Sequence, residues 1–288
     1  MPEGDTIFRA AHALHNALAG RTVESFETVL PNLARVDYDS PLTGRTVEKI
    51  EAQGKWMMIH FSGDLILLTH MLMSGSWHIY RVGERWKRGS IHKRIVIATD
   101  KYIAVAFNVP IAEFHTASSL QRHPRLRKLG PSVLAKEYDD ATILRNVHAQ
   151  PRAEVGAVLL DQNVLAGIGN VFKSEICFAC GVHPFRRVET LTIQEVACLV
   201  ATARKFMLAN VTHTSTDKIV THNTLRRTTG RVGPEERLWV YGRRGRPCHR
   251  CRTAIEVQKQ SPDARATFWC PSCQPRNGER LAAGEFNG

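Results

Sequence analysis

The stretch CHRCRTAIEVQKQSPDARATFWCPSC, residues 248–273, carries the strongest structural signal in the chain. Two Cys-x-x-Cys pairs are separated by 18 residues, and each pair can present two thiolates to one metal ion. Four sulfur ligands with no open position are typical of a structural zinc site, with an iron–sulfur cluster as the soft-ligand alternative. We expect one structural Zn²⁺, whose binding supplies folding energy to this small module. The predicted ligands are Cys248, Cys251, Cys270 and Cys273.

The other three cysteines favour a buried structural role. Cys177 and Cys180 also form a Cys-x-x-Cys pair, but this pair lies inside a predicted helix with no second pair nearby. Cys198 is predicted to be a core residue. The chain has seven cysteines and an acidic start without an apolar run, which argues against a secretion signal and a disulfide framework.

Composition and charge narrow the classes of function. The 288 residues have ordinary hydrophobic and charged fractions, which excludes wholesale disorder. No run of about 18 apolar residues is present, so we expect no membrane association and a protein of the cytosol or the nucleus. The formal net charge is +12, and residues 201–250 contain 11 Lys and Arg against 3 acids. Such a positive field favours a nucleic acid as the partner.

A second motif, LLDQNVLAGIGNVFKSEICF at residues 159–178, predicts two helices joined at a glycine-containing turn. Asn170 can cap the second helix, whose free N–H groups and positive dipole end form an anion site. Lys173 adds positive charge one turn further on. A DNA phosphate is the predicted occupant of this site, and an ordinary tight helix hairpin is the alternative.

Hydrophobic periodicity changes along the chain. The first pattern is helical over residues 5–20, and Asp5 or Thr6 can cap its start. Short apolar runs then predict strands at residues 21–29, 46–50, 56–61, 65–71, 94–99 and 102–107. Helical patterns follow at residues 141–147, 153–165, 171–180 and 192–210. The last helix opens with Thr192 and Glu195, the spacing of a capping box.

This order of patterns predicts an α+β multidomain chain. A basic segment that contains Pro124 and Pro131 marks the first boundary. The predicted domains are a helix-led β-rich domain at 1–120, a helical domain at 121–236, the cysteine module at 237–275 and a tail at 276–288.

The start of the chain offers a candidate nucleophile that its hydrophobic pattern does not indicate. If Met1 is removed, Pro2 offers a secondary amine, and an α-amine has a pKa near 8, well below that of lysine. A following helix, with its positive end nearby, depresses that pKa further. Such an amine is a candidate nucleophile for Schiff-base chemistry, and the neighbouring Glu3 can move protons.

Four motifs together resemble the formamidopyrimidine-DNA glycosylase / endonuclease VIII family. They are MPEGDT at the start, QGKW at residues 53–56, LAGIGN at 165–170 and ARATFWCPSC at 264–273. The resemblance runs from Pro2 to Cys273. It implies an N-terminal helix with a two-layer β-sandwich, a helix–two-turn–helix domain and a C-terminal four-cysteine zinc finger.

The resemblance also implies a function. Members of the family are bifunctional DNA glycosylases and AP lyases of base excision repair, which need no diffusible cofactor. The implied partner is double-stranded DNA with damaged bases or abasic sites. The implied protein is a monomer of the bacterial cytoplasm, associated with the nucleoid.

Individual roles follow by position in the family motifs. Pro2 matches the nucleophile at C1′ of the sugar, and Glu3 matches its acid/base partner. Lys55 and Arg265 match residues that assist catalysis at the damaged nucleotide. Asn170 and Arg265 match phosphate-binding residues. A basic DNA contact at Lys128 and an intercalating residue at Met73 are the remaining matches.

Two departures from the formamidopyrimidine branch bear on substrate choice. Thr6 stands where that branch has glutamate, and residues 107–110 lack its arginine. The start and the LLDQNVLAGIGN motif are similar to the endonuclease VIII branch, which favours oxidised pyrimidines, whereas Met73 points to the other branch. Two alternatives remain: a non-catalytic zinc-finger protein that binds damaged DNA, and an RNA-binding zinc protein.

Overall fold

The computed structural model describes residues 2–212, 226–229, 233 and 235–276. These residues form two compact units, the first containing residues 2–128 and the second containing residues 129–210 and the described residues after position 225. The predicted cysteine-module domain belongs to the second unit in this division. The predicted tail lies outside the described residues except for position 276. No helix in the described ranges is long and apolar enough to cross a membrane.

Helix α1 (Gly4–Leu18) opens the first unit and confirms the predicted helical pattern. Its apolar face, with Ile7 and Leu14, is buried against strands of both sheets described below. Gly20 follows the helix with φ 78°, a left-handed conformation that glycine adopts without strain. The hydrophobic periodicity of the sequence therefore places α1 on the core of the β-rich unit.

Two antiparallel sheets of four strands each make up this unit, with strand orders β1-β6-β7-β5 and β2-β3-β4-β8. The strands are β1 (Ser25–Thr28), β2 (Val47–Gln53), β3 (Trp56–Phe61), β4 (Leu65–His70), β5 (Ser76–Arg81), β6 (Lys93–Ala98), β7 (Tyr102–Phe107) and β8 (Ile111–His115). Side chains from the two sheets and α1 share one hydrophobic cluster. The predicted two-layer sandwich with an N-terminal helix is confirmed.

Two α-helices and two strands of this unit were not predicted. They are α2 (Pro31–Asp39), β5, β8 and α3 (Ala117–Gln121). Strand β5 contains the polar residues Ser76 and His78 among buried neighbours, so its sequence does not alternate clearly between apolar and polar residues. Strands β5 and β8 both lie at sheet edges, where the sequence is under less pressure to show a strand pattern.

The second unit is helical, with α4 (Asp140–His148), α5 (Val155–Leu160), α6 (Asn170–Ala179) and α7 (Ile193–Thr212). The predicted capping box is present, because Thr192 N–H donates to Glu195 Oε2 at 2.8 Å and Glu195 N–H donates to Thr192 Oγ1 at 3.1 Å. Helix α5 is shorter than predicted. Asp161 ends it by accepting the N–H of Asn163 at 2.9 Å, which turns the chain.

A two-stranded hairpin connects the two Cys-x-x-Cys pairs. Its strands are β9 (Glu256–Gln260) and β10 (Arg265–Trp269), and Arg265 pairs with Gln260 next to the turn. Strand β10 packs against α6 of the same unit. The cysteine module therefore shares its packing with the helix that follows the LAGIGN motif.

Candidate active site and nucleic-acid interface

The start of α1 holds Pro2 and Glu3. Pro2 is half-buried, whereas Glu3 is fully buried. Glu3 is the N-cap residue, and its carbonyl accepts the N–H groups of Thr6 at 2.9 Å and Ile7 at 3.1 Å. The prediction that Asp5 or Thr6 caps the helix was wrong, because both lie inside it. The chain start is thus held beside the positive end of a helix, with a carboxyl group next to it in sequence.

Lys55 lies in the two-residue turn between β2 and β3. The next residue, Trp56, is directly opposite His70 on β4, and their rings contact at a centroid distance of 4.7 Å. Burial, with smaller contributions from the charges of Lys55 and Arg125, lowers the pKa of His70 to about 4. His70 is therefore neutral at pH 7. Its Nδ1 accepts the N–H of Leu72 at 3.1 Å, so the ring proton is on Nε2.

His70 was not among the predicted site residues, although the sequence contains a signal for it. The predicted strands at 56–61 and 65–71 are close enough to form a hairpin. Antiparallel pairing of Phe61 with Leu65 then places Trp56 opposite His70. Register arithmetic would have placed an imidazole beside Lys55, where its N–H can serve an anionic oxygen.

Met73 lies in a tight turn after β4. Leu72 has φ 44°, and the N–H of Gly75 donates to the carbonyl of Met71 at 2.8 Å. A Cβ at Gly75 would lie 2.5 Å from that carbonyl oxygen, so the turn requires glycine. The turn exposes two apolar side chains, Leu72 and Met73. The intercalating role of Met73 stays a prediction, and Leu72 is exposed beside it.

The start of α6 differs from the prediction. Gly169 is the N-cap residue, and Asn170 is the first residue of the helix without a side-chain capping bond. The Asn170 side chain is buried, and its Nδ2 donates to the carbonyl of Ala266 at 2.7 Å. Asn170 therefore links α6 to β10, one residue from Arg265. Its predicted role as a helix cap was wrong.

Lys173, predicted to add charge to a phosphate site, is fully buried. Its Nζ donates to Thr267 Oγ1 at 2.5 Å. Thr267 Oγ1 in turn donates to Gln260 Oε1 at 3.1 Å, and Gln260 Nε2 donates to Glu154 Oε2 at 2.9 Å. This chain of hydrogen bonds ties α6 to the β9–β10 hairpin. The predicted contribution of Lys173 to a phosphate site was wrong, because the hairpin covers that side of α6.

Glu175, also fully buried on α6, was missed by the sequence analysis. Its carboxylate accepts the backbone N–H groups of Trp239, Val240 and Tyr241 at 2.8, 2.9 and 2.8 Å. It thereby fixes the segment that leads into the first cysteine pair. The available signal was an acid next to apolar residues in a helix, which requires a partner when it is buried.

Arg265 and Lys128 keep exposed side chains in their respective units. Arg265 is 42% exposed at the start of β10, and its Nε lies 3.9 Å from Asp263 Oδ2. Lys128 belongs to an exposed basic segment of the first unit with Arg122, Arg125 and Arg127. Both positions can offer a cation to an anionic ligand, and their predicted contacts with DNA stay predictions.

The four module cysteines form a compact cluster that fits a metal ion. The Sγ of Cys251 lies 3.3 Å from the Sγ of Cys270 and 3.4 Å from the Sγ of Cys273. The Sγ of Cys248 lies 3.9 Å from the Sγ of Cys273. A tetrahedral ion with metal–sulfur bonds of about 2.3 Å places its sulfurs about 3.8 Å apart. The hydrogen bond with Cys270 lowers the pKa of Cys248 to about 4, which favours a thiolate within the cluster.

The remaining cysteines divide into two cases. Cys177 is buried as predicted, and burial raises the pKa of its thiol to about 12. Cys180, by contrast, forms a disulfide with Cys198, with their Cα atoms 6.0 Å apart. The predictions of a thiol core residue at Cys198 and of no disulfide were wrong. The pairing joins α7 to the residue after α6, a proximity that a separation of 18 residues does not encode.

Comparison with known protein families agrees with this architecture. A profile described as the formamidopyrimidine-DNA glycosylase N-terminal domain matches residues 1–110, and one described as the formamidopyrimidine-DNA glycosylase H2TH domain matches residues 129–221. A solved complex of Lactococcus lactis Fpg with DNA containing an abasic site has the same fold, with a TM-score of 0.78 at 19% identity, covering 95% of this chain and 99% of that chain. The class is thus an H2TH-domain protein with a glycosylase-type N-terminal domain.

Curated relatives are more specific. A protein from Streptomyces coelicolor named probable endonuclease 8 2 is 40% identical over 287 residues, which cover 97% of this chain and 98% of the relative. Endonuclease 8 2 of Mycobacterium tuberculosis is 35% identical, with 95% and 100% covered. The chain belongs to the formamidopyrimidine-DNA glycosylase / endonuclease VIII family and is similar to members named endonuclease 8. The predicted family and fold are confirmed.

Proposed function

We propose that this chain is a bifunctional DNA glycosylase and AP lyase of base excision repair, acting through a Schiff base on the amine of Pro2. The observation that carries the proposal is the start of α1, where Pro2 precedes the buried carboxyl group of Glu3 at the positive end of the helix. Support comes from a Mycolicibacterium smegmatis relative, 34% identical, named DNA-(apurinic or apyrimidinic site) lyase Nei2.

The reaction starts with the damaged nucleotide outside the base stack, because C1′ is inaccessible within a duplex. The unprotonated Pro2 nitrogen attacks C1′, and the bond from C1′ to the base breaks. Glu3 protonates O4′ as the sugar ring opens, which leaves an iminium between Pro2 and C1′. The iminium acidifies the C2′ protons, and loss of one proton expels the 3′ phosphate. Hydrolysis returns the free amine, so the scheme needs no diffusible cofactor.

DNA binding in this scheme uses groups of both units. Lys55 with the N–H of His70, Arg265 and Lys128 are assigned to phosphates, with Arg265 also assisting elimination. Asn170 donates to a flanking phosphate once its Nδ2 releases the Ala266 carbonyl. Met73 fills the space left by the extruded nucleotide. The partner is double-stranded DNA, bound by a monomer in the bacterial cytoplasm at the nucleoid.

The four-cysteine cluster would bind one Zn²⁺ as a structural ion. The sulfur spacing and the absence of an open ligand position in the donor set support zinc as a structural ion. Its role in this scheme is to hold the ends of the β9–β10 hairpin, so that Arg265 keeps its position. Cys248, Cys251, Cys270 and Cys273 are the proposed ligands.

We assign oxidised pyrimidines as the favoured lesions, with ring-opened purines and abasic sites as further substrates. Phe107 and Val109 are buried, and Asn108 with φ 50° turns the chain directly from β7 towards β8. This segment presents no arginine to the base opposite the lesion. The absence of glutamate at Thr6 supports the same assignment.

The test is borohydride trapping on a duplex with one abasic site, followed by a panel of lesions. Active protein should lack Met1 by intact mass, because the Pro2 nitrogen is an unreactive amide while Met1 remains. We expect a covalent protein–DNA adduct with the wild-type chain. Glu3→Gln should lose base excision while it keeps part of its lyase activity on pre-formed abasic sites.

Two results would favour the alternatives. Binding to damaged DNA without any adduct would support a non-catalytic damage-binding protein. Equal competition by duplex RNA would support an RNA-binding protein. Faster excision of oxidised guanine opposite cytosine than of oxidised pyrimidines would overturn the lesion assignment.

A further inference from the structure

Two histidines and one glutamate come together in the first unit. Glu113 and His115 lie on the edge strand β8, where alternate residues share a face, and His123 follows α3. Nε2 of His115 is 3.1 Å from Oε2 of Glu113, and Nε2 of His123 is 3.7 Å from the same oxygen. One donor atom from each residue lies within 4.8 Å of the others.

These distances resemble those around a small metal ion. Ligands at about 2.0–2.1 Å from a tetrahedral ion are about 3.3–3.5 Å apart, so small adjustments bring all three donors into place. The histidine side chains are 16% and 9% exposed, whereas Glu113 is 44% exposed. The cluster therefore has a buried imidazole side and an open side where water can complete the coordination.

We propose that Glu113, His115 and His123 form a second metal site, for a borderline divalent cation such as Zn²⁺. Imidazole and carboxylate ligands suit this class of ion, whereas Mg²⁺ prefers oxygen ligands and retains its waters. Ser119 Oγ donates to Thr116 O at 3.2 Å and lies 3.1 Å from His115 Nδ1. Its oxygen can accept a hydrogen bond from the Nδ1–H of His115, which leaves the Nε2 lone pair of His115 for the metal.

Two features make this site weaker than the cysteine cluster. His123 Nδ1 accepts the N–H of Leu126 at 3.2 Å, and metal binding at Nε2 moves the ring proton to Nδ1, where that bond is lost. Arg125 also acts on His123 with a positive charge. We expect the second cation to bind at least tenfold more weakly than the cation held by the four cysteines.

The experiment is a calorimetric titration of the full chain, with its cysteine-bound zinc in place, with Zn²⁺. Wild type should take up one further equivalent, and a large excess of Mg²⁺ should not displace it. His115→Ala should abolish this uptake or weaken it at least tenfold. His92→Ala is the matched control, because His92 is exposed, belongs to the same unit and lies outside the cluster; it should bind like wild type.

Histidine ring signals in the wild-type protein give a second measurement that needs no variant. Zn²⁺ should shift the ring signals of His115 and His123 and leave those of His92 in place. A chain that takes up no further zinc overturns the proposal. So does a His115→Ala variant with the affinity of wild type, or zinc-induced shifts confined to other histidines.

Discussion

The polar side chains at the starts of α1 and α6, the two helices that carry family motifs, have different partners. At α1, Glu3 is the N-cap residue and its buried carboxyl group follows Pro2 directly in sequence. At α6, the N-cap is Gly169, and the side chain of Asn170 is bound to the β10 carbonyl of Ala266. The first start lies next to the proposed nucleophile at the chain end, whereas the second holds another segment of its own unit.

A motif lysine or asparagine at a helix start is therefore not by itself a surface ligand. Lys173 is fully buried and bound to Thr267, although its position one turn into α6 is ordinary for an anion site. The helix start can still attract anions through its backbone. The cation that this unit presents at its surface is instead Arg265, on the hairpin that Lys173 supports, and its contact with DNA stays a prediction.

The largest effect is expected at the Pro2 amine. A blocking group on the mature amine should abolish the borohydride-trapped adduct, because an amide nitrogen cannot form the iminium. DNA binding should change little. Adduct yield on an abasic duplex is the measurement, and a blocked protein that still forms adduct would move the nucleophile to Lys55 or to another amine. Pro2→Gly is not decisive, because glycine also provides an amine.

Loss of a cluster ligand should have the next largest effect. Cys270→Ser should reduce bound zinc from one equivalent to none and weaken DNA binding, because the hairpin loses its closure. Cys177→Ser, a buried cysteine outside the cluster, should keep its zinc. Zinc content by mass spectrometry and DNA affinity check both variants. Equal zinc loss in the two would contradict the separation of the two Cys-x-x-Cys pairs by role.

Arg265→Ala should weaken DNA binding about tenfold or more, since a charge-assisted hydrogen bond contributes about 1.5–3 kcal/mol. It should also flatten the slope of log affinity against log salt by about one. Binding isotherms over a range of salt concentrations give both quantities. Unchanged affinity and slope would mean that the hairpin does not contact phosphate.

Lys173→Met complements Arg265→Ala, because Lys173 lies in the buried hydrogen-bond network that ties α6 to the β9–β10 hairpin. We expect a loss of about 1–3 kcal/mol in the free energy of unfolding, because Thr267 loses a buried partner. The salt slope should stay at the wild-type value. A slope reduced as in Arg265→Ala would instead show that Lys173 reaches DNA.

The smallest effect concerns His70 and pH. Its pKa is about 4 in the folded chain, below the ordinary value of 6.5, so the folded state binds fewer protons than the unfolded state. The contribution of His70 to the free energy of unfolding is therefore fully present above pH 6.5 and is lost as the pH decreases towards 4. The decrease should be smaller in His70→Gln. Denaturant unfolding at pH 7 and pH 5 measures the difference, and parallel decreases in both proteins would contradict the shift.

Much of the site could be predicted because its signals are local. The Cys248–Cys251 and Cys270–Cys273 spacings reveal the metal cluster, and the capping box of Thr192 was readable from four residues. Predicting His70 as a site residue requires the register between β3 and β4, which follows from the predicted limits of these two strands. Glu175 and the Cys180–Cys198 disulfide needed the packing of distant segments.

Periodicity, capping and ligand spacing act over a few neighbouring residues, so the sequence identified the family, most of the elements and the candidate nucleophile. Which polar side chains are exposed depended on contacts between distant segments. Lys173 meets Thr267 across 94 residues, and His123 meets Glu113 by way of the turn after α3. The physical reason is that burial of a charge depends on partners from remote segments, which supply the hydrogen bonds that water would otherwise provide.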